Sequence, residues 1–188
     1  VIDMMLLYML YRAYINEKKT LSSRAYSDFL TKLPNKRMFD KYVNNLPQNS
    51  SISIVVLDVD DFKSYNDLYG HQKGDVALEK IGAILNEHIQ NNVIFFRVGG
   101  EEFAGLFVSK SHNQVRQVLE SICLKLQDKS IEHDGNINHK IITLSIGVAW
   151  GKISTPLDVQ SLYDHADKML YTSKRQGKNR ITFKESSV

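Results

Sequence analysis

Cysteine is almost absent from this chain of 188 residues. Cys123 is the only one, which excludes a disulfide framework and a thiolate zinc site. It falls in an apolar helical pattern with Leu119, Ile122 and Leu126 and reads as core packing. A reducing, cytoplasmic setting fits that usage. Charge imbalance is missing too: 24 Lys and Arg against 21 Asp and Glu leave a net charge of +3. That is too mild for a nucleic-acid-binding surface, although it suits an anionic small ligand. There is no internal repeat and no low-complexity segment. The apolar run from Met4 to Tyr11 falls far short of the roughly 20 residues that span a bilayer, and it carries no signal-peptide pattern.

What is present is a hydrophobic fraction of 43% with 24% charged residues, enough for one packed domain with a short appendage. The chain starts at Val1, so it is expected to be a piece of something longer. Residues 1–27 support two readings. They are the cytoplasmic end of a membrane helix, with tyrosines at the interface and basic residues inside, or an amphipathic connector that pairs with its twin in a dimer. Residues 28–188 form the globular part. Asn35 is placed to cap a helix over residues 36–43.

Ser51 to Asp58 becomes continuously apolar, the mark of a strand in the middle of a sheet. Its end delivers Asp58, Asp60 and Asp61. Asp60 and Asp61 can be explained as caps for the next helix, but Asp58 lies inside the strand, where an unpaired carboxylate is costly. Two apolar runs, Val93–Phe96 and Phe103–Val108, flank Gly99-Gly100 and predict a hairpin closed by a two-residue turn with positive φ. Glu101 and Glu102 follow that turn. Adjacent strand residues face opposite ways, so one looks into a site and the other along its rim; a solvated acidic turn is the plain alternative.

A short helix ends at Gly70, and a longer one follows Gly74-Asp75. Asn66 and Asp75 have local roles as turn and cap residues, but they also form a guanine-reading pair. A carboxylate accepts from the N1–H and exocyclic amine, and an amide donates to the ring's acceptors. Adenine lacks that donor pair. Further helices are predicted over 113–129 and 159–174, and strands over 140–150 and 181–183. The basic cluster Lys174 to Arg180 suits a helix C-terminus and could also clamp a triphosphate. The order helix, strand, two helices, hairpin, helix, strand, helix, strand defines an α/β sandwich, helices on a mixed sheet of about five strands. If the strand of Asp58 neighbours the hairpin, Asp58 and Glu101 meet. Two carboxylates plus substrate phosphates are what Mg²⁺ requires.

Gly99-Gly100-Glu101-Glu102-Phe103 resembles the signature of the GGDEF domain family, the diguanylate cyclases, in a Glu-for-Asp form. Asp58-Val59-Asp60-Asp61-Phe62-Lys63 resembles the family's DxDxFK segment. Asn66-Asp67, Gly70-His71 and Gly74-Asp75 resemble its NDxxGHxxGD run. Leu30–Arg37, Ser145–Ala149 and Ala166–Tyr171 also fall where the family has motifs. The resemblance implies a palm-like fold related to nucleotide cyclases, and the condensation of two GTP into cyclic di-GMP across a homodimer. It implies Mg²⁺, or Mn²⁺, held by Asp58, the Val59 carbonyl and Glu101. Glu101 and Glu102 become the catalytic pair, Glu101 more as a metal ligand than as a general base. Asn66 and Asp75 would read the base, with His71 nearby and Leu78 beneath it. Lys63, the backbone around Phe62, Lys174 and Lys178 would hold the phosphates.

Two departures accompany the match. Gln90 and Val93 stand where many members carry the Arg and Asp of an inhibitory product site. Lys178 stands where a second phosphate-binding arginine is usual, keeping the charge without the bidentate fork. A GGDEF domain that binds GTP or a partner without turnover is the competing reading. The setting expected is a cytoplasmic domain of a membrane-anchored protein, with no nucleic-acid partner.

Overall fold

The structure, a computed structural model, describes Met9, Arg12 and residues 25–184. The two readings of the N-terminal segment therefore lie almost wholly outside the described residues. Among those described, no helix is long and apolar enough to cross a membrane.

The elements run α1 (Lys36–Asn44), β1 (Ser50–Val59), α2 (Phe62–Tyr69), α3 (His71–Glu87), β2 (Val93–Arg97), β3 (Glu102–Val108), α4 (His112–Asp128), β4 (Leu144–Ile153), α5 (Pro156–Arg175) and β5 (Arg180–Phe183). The strands form one sheet in the order β2-β3-β1-β4-β5. All neighbours are antiparallel except β4 and β5. This is the expected mixed α/β sandwich, with the palm-like arrangement the resemblance implied.

β1 is central because its residues have no wet face: Ile52 through Val59 are buried. Its odd positions (Val55, Leu57, Val59) join α3 and α4 in one core. Its even positions (Ile52, Ile54, Val56) join α1 and α5 in the other. Each buried aliphatic or phenyl side chain contributes roughly 1.5–3 kcal/mol, so a one-residue slip of β1 would turn both cores inside out. Asn35 caps α1 as expected, its side chain accepting from the Met38 amide at 3.1 Å.

Gly147 sets how closely α5 lies on the sheet. A Cβ there would come 2.0 Å from the Ala166 carbonyl oxygen and 2.2 Å from the Leu170 amide nitrogen. Only a glycine lets the helix backbone touch β4 this closely.

Two local expectations are corrected. β4 starts at Leu144 rather than 140, because Ile142 and Thr143 are drawn into contacts with Ile131 and Asp60. The hairpin turn is not a two-residue type with positive φ: residues 98–101 connect the strands, and neither Gly99 nor Gly100 has positive φ. Gly99 instead lies against Glu102: an added Cβ would come 2.6 Å from Oε2, the end of an exposed side chain that can swing away.

Candidate active site

The expected meeting of Asp58 and Glu101 depends on β1 and β3 being neighbours, and they are. Asp58 stands opposite Glu102 in the ladder, and the Val59 amide donates to the Glu101 carbonyl at 3.3 Å. Glu101 is half-buried, whereas Glu102 is exposed, the inner and outer division expected of the pair. Asp58 lies on the α5 face at 5% exposure. Lys174, in the last turn of α5, reaches it with Nζ 2.9 Å from Oδ2. The closeness of α5 permitted by Gly147 is what brings this lysine within range.

These carboxylates hold protons more tightly than ordinary ones. Burial raises the pKa of Asp58; Lys174 opposes the shift, and Glu102 and Asp60 reinforce it. Burial also raises Glu101, and the charge of Asp58 adds to it. The site thus carries more negative charge than its one ammonium group relieves.

Asp60, two residues along, is used differently. It is 1% exposed and accepts from Thr143 Oγ1 at 2.7 Å, Ser145 Oγ at 2.6 Å and the Asn179 amide at 3.1 Å. Its expected capping role is replaced by a tie between β1, β4 and the turn after α5. In that turn Gly177, Lys178 and Asn179 all have positive φ, a conformation costing non-glycine residues about 1–2 kcal/mol each. Asp60 holds it through Asn179, and Lys178 is thereby delivered to Asp61, Nζ to Oδ1 2.6 Å.

Asp61 precedes α2 with φ 56° but makes no side-chain cap. Its carbonyl accepts from His133 Nε2 at 3.2 Å. A carbonyl only accepts, so Nε2 carries the ring proton. His133 is fully buried, its ring edge-on to Tyr65. Residues 133–135 fold over α2, where Tyr69 Oη donates to Asp134 Oδ2 at 3.1 Å and accepts from the Asp134 amide at 3.0 Å.

The residues expected to read the base sit where α2 meets α3. Asn66 lies against the bare backbone of Gly74: a Cβ at Gly74 would come 1.9 Å from Asn66 Oδ1. That oxygen is buried without a partner, at a cost of about 1–3 kcal/mol. With its oxygen turned inward, the amide presents its amino group outward, the donor the guanine reading needs. Asp75, one residue on, is exposed, as are His71 and Lys63. Phe62 is buried at 5% and Leu78 at 3%, so these two shape the cleft rather than offering polar groups to it.

Arg97, just ahead of the signature, carried no role in the sequence reading. Its guanidinium donates to the Gly100 carbonyl at 2.7 and 3.2 Å and to Asp28 Oδ1 at 3.0 Å, clamping the hairpin tip to the start of the domain. Burial works against the Asp28 carboxylate, but the Thr31 amide and hydroxyl together with Arg97 outweigh it and lower its pKa. Gln90 and Val93 bond each other through their backbones at 3.1 and 2.9 Å. Val93 is buried at 2%, so neither position projects a charged arm. Burial pushes the Cys123 thiol up to about 11, in keeping with packing rather than reactivity.

The donor set fits a hard divalent cation. Two side-chain carboxylates repel each other beside a strand end, and all available atoms are oxygens. Among the described residues no group of three or more His, Cys, Asp or Glu side chains surrounds one point. Mg²⁺ suits such a site because it keeps waters and takes few protein ligands.

A sheet of this order, with paired acids at the exit of its central strand, defines a palm-type domain. A family model described as "Diguanylate cyclase, GGDEF domain" matches residues 25–180; the chain belongs to the GGDEF domain family. It resembles the coiled coil and GGDEF domain of DgcB from Caulobacter crescentus, solved in complex with c-di-GMP. That match has 27% identity and a TM-score of 0.81, covering 94% of this chain and 95% of the other. The diguanylate cyclase SiaD from Pseudomonas aeruginosa, solved with its activator SiaC, matches at 25% identity and a TM-score of 0.76, over 95% and 69% of the two chains. An uncharacterized membrane protein of Staphylococcus aureus is 30% identical over 187 residues. The chain spans about half the length of such curated relatives, 50% in that case.

Proposed function

We propose that this domain is a diguanylate cyclase: it condenses two GTP molecules into cyclic di-GMP and releases two pyrophosphates. The observation that carries this reading is the convergence of Asp58, Glu101 and Lys174 at the exit of β1. Each subunit of a homodimer holds one GTP. Asn66 and Asp75 read guanine over Leu78, with His71 at the start of α3. Lys63, the backbone at Phe62, Lys174 and Lys178 bind the β- and γ-phosphates. Each 3′-hydroxyl gives its proton to solvent water and bonds to the α-phosphorus of the other nucleotide, while the bond from that phosphorus to pyrophosphate breaks. Asp58, the Val59 carbonyl and Glu101 would hold Mg²⁺ or Mn²⁺, which supplies charge neutralisation for the triphosphate. The chain's own part is positioning: it aligns two nucleotides and excludes adenine.

Lys174 and Lys178 are each tied to a carboxylate, Asp58 and Asp61. GTP phosphates must outcompete both partners, and a domain that binds GTP without turnover is the reading this favours second. Glu102, exposed at the rim, makes no contact among the described residues that assigns it more than backbone support of Val98 and Gly99. The membrane tether suggested by the relatives' description, and dimerisation through residues 1–27, belong to the same proposal.

The deciding experiment incubates the domain, dimerised by a fused coiled coil, with GTP and Mg²⁺ and separates products by chromatography. Cyclic di-GMP is expected, and its initial rate should not fall when product is added, because Gln90 and Val93 offer no charged arms. GTP binding without product would establish the silent reading instead.

A further inference from the structure

The end of the sheet opposite the carboxylates holds a cleft of about 710 Å³, lined by the start of β1, the end of β4 and the turn into α4. Ser53 lies in its floor at 3% exposure, between Trp150 and Phe107 in the ladder. Its hydroxyl makes no hydrogen bond among the described residues. The oxygen is not among the buried side-chain atoms left without a partner, so the hydroxyl reaches the open cleft and is free to donate to a ligand there.

The rest of the lining donates as well. In the capping box of α4, Ser111 Oγ accepts from the Gln114 amide, and Gln114 Oε1 accepts from the Ser111 amide. The His112 and Asn113 amides at the head of this 17-residue helix have no acceptor among the described residues. Lys110 and Lys152 also line the cleft, and no Asp or Glu does. Neither lysine has an ion-pair partner among the described residues. The His112 ring rests on Trp150, centroids 3.7 Å apart.

We propose that this cleft is a binding site for a phosphoryl oxyanion, separate from the nucleotide site. A hydroxyl, two adjacent amides and two ammonium groups are more donors than the two oxygens of a carboxylate can satisfy. A phosphoryl group offers three or four oxygens and the matching charge, at a helix N-terminus that favours an anion. Free phosphate, pyrophosphate and a phosphorylated metabolite share this chemistry.

Trp150 is the only tryptophan of the chain, so its emission reports on this cleft alone. The whole chain is titrated with sodium phosphate and, separately, with sodium pyrophosphate, against sodium chloride of equal ionic strength. A saturable change of emission with a phosphoryl anion, and none with chloride, is expected; the tighter arm identifies the source. Ser53→Val and Lys152→Ala should each weaken apparent affinity about tenfold, the value of one hydrogen bond to a charged group. Lys174→Ala, at the far end, should leave the titration unchanged. Lys152 is exposed, so its variant keeps the test sound if the strand substitution disturbs folding. An equal response to chloride, or a response that survives Lys152→Ala unaltered, would overturn the proposal.

Discussion

Asp58 and Asp60 stand two residues apart on one strand end, both almost completely buried, and they serve opposite purposes. Asp60 is satisfied by two hydroxyls and an amide, so its charge is spread over neutral donors. Asp58 has one lysine and three acidic neighbours, Asp60, Glu101 and Glu102, and its pKa is raised. The fully bonded carboxylate builds the fold. The under-bonded one stores a tension that a cation and a triphosphate can relieve. Burial alone therefore does not separate a structural acid from a candidate functional one; the donor count does.

The sharpest break of this comparison is in activity. Asp58→Asn and Glu101→Gln should each lower cyclase turnover by on the order of 10³-fold, measured by product chromatography under saturating GTP and Mg²⁺. Their melting temperatures should hold or rise, since each removes a buried charge. Near-full turnover in either variant would end the metal assignment.

Stability gives the next effect. Asp60→Ala strands the hydroxyls of Thr143 and Ser145 and frees the Asn179 turn, so a loss of about 3–5 kcal/mol is expected in urea unfolding. A loss no larger than that of Asp58→Ala would erase the distinction drawn between them.

Gly74→Ala sharpens the comparison at the base-reading end. Alanine favours a helix interior by about 1 kcal/mol, yet the new Cβ falls on Asn66 Oδ1. GTP binding by calorimetry should weaken by about 1–3 kcal/mol, the value of a polar contact left unmade. Unchanged affinity would mean Asn66 does not read the base.

The smallest effect is in pH dependence. Asp58 and Glu101 have raised folded pKa values, so their protonated forms are favoured by folding. As pH rises from the ordinary carboxylate range through their folded values, they ionise at a cost and stability falls. Asp28 has the opposite sign: its lowered pKa contributes stability above the unfolded value, lost as pH falls through the folded one. Comparing wild type with Asp58→Asn between about pH 4 and 7 should show the variant gaining a few degrees in melting temperature toward the upper end. Parallel curves would show that Asp58 ionises without strain.

The sequence by itself determined the element order, the central place of β1 and the helix cap at Asn35; that Asp58 meets Glu101 it gave only on the condition that β1 and β3 are neighbours, which the sheet order supplied. These follow from local chemistry: continuous apolar runs, period-two alternation and capping residues state their roles within a few positions. It also marked Gly99-Gly100, although the reason assigned there, positive φ, was the wrong one. Only the tertiary structure decided that Asp60 buttresses the fold, because Thr143 and Ser145 lie more than 80 residues away along the chain. The same holds for Arg97 on Asp28, His133 under Asp61, and the unpartnered Ser53 facing the turn into α4. A pattern within a window records which face of an element is buried. Which donor a buried acid or hydroxyl finds depends on the strand order and the register, and these are set by the packing of the whole sheet.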